Sequence, residues 1–256
     1  MPNDVSASYR SFSDSAARPA RPLAERLRWR LRLAQRRLTR PFVRARVLRF
    51  EPIDADYGFG RGLPIDRYYI ERFLSEEAAN IRDRVLEIED DTYTRKFGGG
   101  RVRQSDILHV DRGNPHATII ADLADAPHIP SNSFDCLIVI QTLQYIHDVQ
   151  AALRTMQRIL KPGGVVLVSV PCIERICTAA VDSGWGDHWR FTSMSCQRLF
   201  ADIFGADNLR VAPYGNLISA TASLYGLAAQ DLTHDELDYR DPCLELGVAV
   251  RARKAA

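Results

Sequence analysis

The chain has 256 residues, 46% hydrophobic and 26% charged, with a formal net charge of +2. That is enough chain to bury a substantial core in an ordinary globular composition, and its apolar runs, such as Val165 to Val170, are far too short to span a bilayer. Five cysteines, odd in number and without a CxxC pair, argue against a disulfide framework; with no secretory signal they read as reduced thiols of a cytoplasmic protein.

Charge is unevenly spread. Residues 1–50 carry thirteen Arg against Asp4, Asp14 and Glu25, a net +10, so the chain's +2 leaves −8 for residues 51–256. The asymmetry predicts two parts: a flexible, basic N-terminal arm over 1–50 and a folded domain over 51–256. Residues 1–22, rich in Ser, Ala and Pro, read as mobile. From Leu23 the spacing of Leu23, Leu27, Leu31, Ala34 and Leu38 predicts a helix that Pro41 ends, with six Arg between Arg26 and Arg37 filling the intervening places. Such a helix, within 23–49, suits an anionic membrane surface or an acidic partner. Equally, its leucine stripe packs on the chain's own body or on a second copy. Nucleic acid ranks last, because no RNA or DNA module accompanies the arginines and the body is acidic.

Further along, strand-like and helix-like segments alternate. Asp66 is placed to cap a helix running to Leu74, and Ser75 the next one. Runs of Val, Ile and Leu predict strands at 84–88, 102–108, 117–121, 135–140 and 164–170. A helix fits 148–160, stopped by Pro162-Gly163. Then follow a helix at 195–203, a strand near 208–213, a helix at 216–229 and a last strand at 244–251. Near-continuous apolar strands separated by helices indicate an α/β fold, a mostly parallel sheet covered on both faces, with room for an antiparallel pair at its end. Two links look short for parallel crossovers: 13 residues from Ile88 to Val102 and 8 from Leu108 to Ala117. Either the helices there are stunted or the strand limits are displaced.

The first strand, Val85-Leu86-Glu87-Ile88, ends where a nucleotide-binding fold places its glycines, and instead continues Glu89-Asp90-Asp91-Thr92-Tyr93. Three successive carboxylates would repel the pyrophosphate of a dinucleotide, which normally sits on amides at a helix start. They would tolerate a cationic ligand. The bland alternative is that they cap a one-turn helix over 92–97.

The stretch from Asp122 to Pro171 carries a resemblance. Asp122, Pro130, Ser133-Phe134-Asp135, an apolar strand, a helix, then Arg158-Ile159-Leu160-Lys161-Pro162-Gly163-Gly164 and another strand are similar, in order and spacing, to the middle of class I S-adenosylmethionine-dependent methyltransferases. "GFGRGLPIDRYYIERFL" (58–74) and "EIEDDTYTRKFGG" (87–99) resemble a bacterial group of that family often linked to glycosyltransferases. The resemblance covers roughly residues 57–252. It implies a Rossmann-like, mostly parallel seven-stranded sheet with helices on both faces and an antiparallel last strand. It also implies S-adenosylmethionine as cofactor and S-adenosylhomocysteine as product.

By the same resemblance the cofactor would lie along Glu87, Glu89, Asp90 and Asp91, with Asp106 and Ile107 near the ribose, Ala121, Asp122 and Leu123 around the adenine, and Gln141 by the methionine part. Glu89 departs from the family's first glycine. A hydroxyl acceptor needs a proton taken, for which His188 and His147 are the catalytic candidates. Arg61, Arg67, Tyr68, Trp185, Trp189 and Arg190 are the candidate acceptor wall. Histidine spacing gives no metal site. The leading expectation is O-methylation of a glycan or glycosylated small molecule, by a cytoplasmic protein that is peripheral to a membrane or free of it, alone or as a homo-oligomer. Its rivals are a different reaction on the same scaffold and a non-catalytic adaptor of a glycan-assembly system.

Overall fold

In the computed structural model the described residues are 49–256, so the arm expected over 1–50 lies outside them but for its last two residues. Seven strands form one sheet: β1 (Asp83–Ile88), β2 (Val102–His109), β3 (Ile119–Ile120), β4 (Phe134–Ile140), β5 (Leu160–Pro171), β6 (Leu209–Tyr214) and β7 (Gly247–Arg253). Their order is β3-β2-β1-β4-β5-β7-β6. The first five run parallel, and β7 is antiparallel to both β5 and β6. This is the mostly parallel, Rossmann-like sheet with an antiparallel last strand that the resemblance implied.

Strand alternation explains why the apolar runs are continuous. Leu86, Leu137, Val139, Val166 and Val168 face one side of the sheet and pack with α2 (Val149–Ile159) and α4 (Ser193–Phe204). Val85, Cys136, Ile138, Val165 and Leu167 face the other and pack against α1 (Ile65–Glu76) through Ile70, Phe73 and Leu74. Both faces are covered, so neither shows polar alternation.

Helix starts follow cap chemistry where the sequence offers it. Asp148 accepts from Ala151 N at the head of α2, and Thr192 with Ser195 forms a capping box on α4. Asp66 does not cap α1: Pro64 stands at that boundary and Asp66 lies in the first turn. Ser75 caps nothing, since α1 runs on to Glu76. Short helices α3 (Thr178–Asp182), α5 (Leu217–Leu224) and α6 (His234–Asp238) complete the set.

The two short links mean stunted crossovers. Between β1 and β2 there is only a π-helical turn (Thr94–Gly98) and a 3-10 turn (Gly99–Arg101). Gly98 lets that turn press on the core, because a Cβ there would lie 2.4 Å from Val102 Cγ2 and 2.9 Å from Ile81 Cγ2. Between β2 and β3 the chain crosses without a helix, and β3 shrinks to two residues.

The Phe134-Asp135 and Lys161-Pro162-Gly163-Gly164 segments meet at the amino ends of β4 and β5. Asp135 Oδ2 accepts from Lys161 Nζ at 2.6 Å and from Arg84 N at 3.1 Å, while Phe134 is fully buried beneath the Arg84 guanidinium, 4.7 Å from its ring centre. Burial rather than charge carries this junction. Phe134→Ala is expected to cost about 3–5 kcal/mol. Asp135→Asn, whose Lys161 partner is 41% exposed, should cost about 1 kcal/mol or less. Urea unfolding midpoints of the two variants check the ranking.

Candidate active site

The sheet order reverses between β1 and β4, and at the carboxyl ends of these strands lies a cavity of about 830 Å3. Open α/β sheets bind ligands at such a crevice. Its floor is the end of β1 (Glu87 to Asp90), and its sides are the ends of β2 and β4 and the turn at Ala121–Ala124. Arg67 of α1 and Trp185 and His188 of the segment after β5 close it.

Glu87 organises the floor. It is 3% exposed, and its carboxylate accepts from Tyr93 N at 3.1 Å and Thr94 N at 2.7 Å, holding the turn that stands where a longer helix would start. Burial pushes its carboxyl up to about 7, against those two amide bonds. Glu89 follows at φ +77°, so the backbone keeps the left-handed shape a glycine would take while the residue carries a carboxylate. Gln141, after β4, is likewise left-handed at φ +48°.

Charge in the cavity is one-sided. Glu71, Glu87, Glu89, Asp90, Asp122 and Asp148 line it, and Arg67 is the one Arg or Lys among the described lining residues. The Arg67 guanidinium has only long contacts, 3.4 Å to Tyr93 Oη and 3.8 Å to Asp66 Oδ2. Burial pushes the Asp66 carboxyl up, opposed by Arg67.

Histidines form the far wall. His147 and His188 meet edge to face, ring centres 5.4 Å apart. His188 Nε2 lies 3.1 Å from the Trp185 carbonyl; a carbonyl only accepts, so Nε2 carries the proton and Nδ1 is left to accept. Gly186, at φ +82°, makes room for this ring: a Cβ there would sit 2.6 Å from His188 Cε1. The backbone N–H of His188 donates to Gln144 O at 2.8 Å, and Trp185 reaches across to His109, 5.8 Å between ring centres. The segment between β5 and α4 therefore arches over the cavity as a roof.

Of the residues expected at a cofactor, Glu87, Glu89, Asp90, Ala121, Asp122, Leu123 and Gln141 line this cavity. Asp91 and Ile107 instead line a neighbouring hollow of about 460 Å3. Asp106 is a correction. β2 runs on to His109, which leaves Asp106 inside the strand, paired with Arg84 Nε at 2.8 Å and accepting from Thr118 Oγ1 at 3.2 Å. It does not line the cavity. At the true strand end stands His109, buried, with Nε2 3.3 Å from Glu89 Oε2 and Nδ1 3.2 Å from Asp111 Oδ1. In the run Ile107-Leu108-His109-Val110-Asp111 apolar and polar residues alternate across the strand end, so the sequence does not mark it.

Of the expected acceptor wall, Arg67 and Trp185 line the cavity, as do both candidate histidines. Four residues lie elsewhere. Arg61 pairs with Asp231 at 2.7 Å on the surface, and Tyr68 Oη donates to Asp238 at 2.9 Å. Arg190 is clamped by Asp187 at 2.6 Å and donates to the Arg175 carbonyl at 2.8 Å, which knits the roof together. Trp189 donates through Nε1 to Ile146 O at 3.1 Å, outside the lining. Among the described residues no cluster of His, Cys, Asp and Glu is arranged to hold a metal ion.

Residues 56–168 match the protein family described as "Methyltransferase domain". A ubiquinone/menaquinone biosynthesis C-methyltransferase, UbiE, of Enterobacter sp. (strain 638) is 44% identical over 59 residues, 22% of this chain and 24% of that protein. The chain thus spans about a quarter of the curated relatives it matches. A solved structure assigned as a sarcosine dimethylglycine methyltransferase of Galdieria sulphuraria is 15% identical, with a TM-score of 0.50 over 75% of this chain and 90% of that one; at that identity the likeness is one of fold. The N-methyltransferase NodS of Bradyrhizobium japonicum, solved with S-adenosyl-L-homocysteine, is 14% identical over 79% of this chain and 94% of that one, with a TM-score of 0.48. Residues 56–168 are thus similar to a methyltransferase domain, over less than half of the chain.

Glu87 makes stability depend on pH in a stated direction. Its carboxyl rises from 4.5 to about 7 on folding, so between these values the unfolded chain binds fewer protons and stability falls as pH rises. Glu174, pushed up to about 7 by burial, acts in the same sense. Unfolding midpoints from about pH 5 to about pH 8 should decline for the wild type and decline less for Glu87→Gln. Equal slopes would mean that Glu87 is not buried as an acid.

Proposed function

We propose that the chain is an S-adenosylmethionine-dependent methyltransferase that methylates a hydroxyl of an uncharged, glycan-like or glycosylated small-molecule acceptor. The observation that carries this reading is the charge pattern of the cavity: carboxylates on nearly every side and one under-paired guanidinium. A dinucleotide or nucleoside triphosphate needs the opposite field. S-adenosylmethionine, with a sulfonium, an ammonium and one carboxylate, fits it. Arg67 would hold the carboxylate, Glu89 and Asp90 the cationic end, and Ala121, Asp122 and Leu123 the adenine. When bound, the cofactor supplies an electrophilic methyl carbon.

The chain's own contribution is binding, alignment and the proton. His188 presents Nδ1 as a base, fixed by the Trp185 carbonyl on its other nitrogen and seated over Gly186. His147 meets it edge to face. The roof keeps water from the reacting groups, and the acidic lining disfavours phosphate-bearing acceptors. UbiE is a carbon methyltransferase and NodS a nitrogen one. The oxygen assignment here rests on the paired histidines, which a hydroxyl acceptor needs and a free amine does not.

Calorimetry with both cofactor forms is the first test. S-adenosylmethionine should bind about tenfold more tightly than S-adenosylhomocysteine, because only the former carries the sulfonium charge into an acidic site, and added salt should narrow the gap. No binding of either at millimolar concentration would leave only the adaptor reading. Gly186→Ala should push the His188 ring aside and lower turnover of a hydroxyl acceptor about tenfold or more while cofactor affinity stays unchanged. Unchanged turnover would remove His188 from the mechanism.

A further inference from the structure

Glu89 lines both the cavity and the neighbouring hollow, and its side chain is 65% exposed. Its backbone is fixed: the N–H donates to Leu108 O at 3.0 Å, and the carbonyl accepts from Asn114 Nδ2 at 2.5 Å. Its carboxylate is not fixed in the same way. Among the described residues it has one partner, His109 Nε2 at 3.3 Å. A long, exposed carboxylate spreads over many rotamers unless a rigid neighbour holds it, and a charge so spread selects poorly between ligands.

His109 is such a neighbour. It is 7% exposed at the end of β2, its carbonyl accepts from Ala121 N at 3.0 Å, and its ring meets Trp185 edge to face. Nδ1 stands 3.2 Å from Asp111 N, 3.0 Å from Asp111 O and 3.2 Å from Asp111 Oδ1. A bare Nδ1 accepts from the N–H, which leaves the proton on Nε2; a protonated Nδ1 donates to the oxygens. In the second case the carboxylate facing Nε2 still calls for a proton there, because a bare Nε2 would set lone pair against lone pair. Nε2–H therefore points at Glu89 in either state.

We propose that His109 is a positioning residue: its Nε2–H holds the Glu89 carboxylate at the cationic end of the cofactor and so sets the preference for the sulfonium form. Asp111 steadies the ring from behind and Trp185 from the roof. The proposal rests on the methyltransferase reading above and gives it a specificity device outside the β1 loop.

Calorimetry on the full chain tests it with S-adenosylmethionine and S-adenosylhomocysteine as probes. Two amide substitutions separate reach from packing. His109→Asn places its amide where Nδ1 was, near Asp111, and stops short of Glu89, whereas His109→Gln reaches Glu89 as Nε2 does. Both lose the ring and its contact with Trp185. The wild-type preference of about tenfold should fall to about threefold or less in His109→Asn, mostly through weaker S-adenosylmethionine binding, and should return in His109→Gln. In a Glu89→Gln background the Asn and Gln variants should give the same ratio, because the carboxylate they act through is gone. Four results overturn the proposal alone: an unchanged ratio in His109→Asn, equal loss of both ligands in both variants, no recovery in His109→Gln, or a difference between the two that persists beside Glu89→Gln. A wild type that binds neither ligand overturns the methyltransferase reading and this proposal together.

Discussion

Everything at the candidate site depends on one buried carboxylate. Glu87 lies one residue before the end of β1, and its two amide hydrogen bonds fix the turn that leads away from the sheet. In folds of this type a glycine-rich loop and a long helix usually do that work. Here the crossover is too short for a long helix, so the orphan N–H groups of a single turn need a strong acceptor close by. A carboxylate 3% exposed is costly to ionise, and its pKa near 7 expresses that cost. The cost is borne at the residue that sets the cavity floor. Any change that displaces Glu87 therefore moves Glu89, Asp90 and Tyr93 together.

From this anchor the electrostatics follow. Carboxylates crowd the carboxyl edge of the sheet, and Arg67 enters from α1 to meet them from the opposite side. The field suits a cationic ligand; on the proposed reading, attraction on entry would weaken once the sulfonium charge is gone. Charge is also divided unevenly along the chain. Residues 51–256 are acidic by −8 and concentrate part of that charge in the cavity, whereas the +10 of residues 1–50 leaves the overall balance near neutral.

Most of the sheet was legible in the sequence because its strands are buried on both faces and read as unbroken apolar runs; Cys136 to Ile140 and Val165 to Val170 needed nothing else. The stunted crossovers were legible as counts of residues too few for helices. Strand ends were not. Asp106 lies three residues short of the end of β2, and nothing in the apolar period marks His109 as the last strand residue, because Leu108, His109 and Val110 read equally well as strand or loop. Long-range polar partners were invisible for a different reason. Arg61 and Tyr68 sit in an aromatic, basic stretch that looks like a binding wall, but Asp231 and Asp238, some 170 residues away, take them up. Arg190 is taken up by Asp187, three residues before it, and by the Arg175 carbonyl. Of the expected residues that reach the cavity, Glu87 to Asp90, Ala121 to Leu123 and Gln141 are those whose position follows from strand topology alone.

Two of those residues also carry backbone strain. Glu89 and Gln141 hold left-handed conformations at the ends of β1 and β4, on either side of the same opening. Glycine would relieve roughly 1 kcal/mol at each such position. Stability alone therefore disfavours the residues present, and their side chains must contribute what a hydrogen atom cannot. At Glu89 that is a carboxylate 3.3 Å from His109 and open to the cavity; at Gln141 it is an amide oxygen that accepts from Gln144 Nε2 at 3.2 Å and belongs to the cavity lining. Strain retained at two facing loop positions, in a protein with glycines enough elsewhere, is what a ligand site looks like when specificity has been bought with stability. Position 89 keeps the left-handed backbone of a glycine, and on the proposed reading its carboxylate would add charge selection for a cationic ligand.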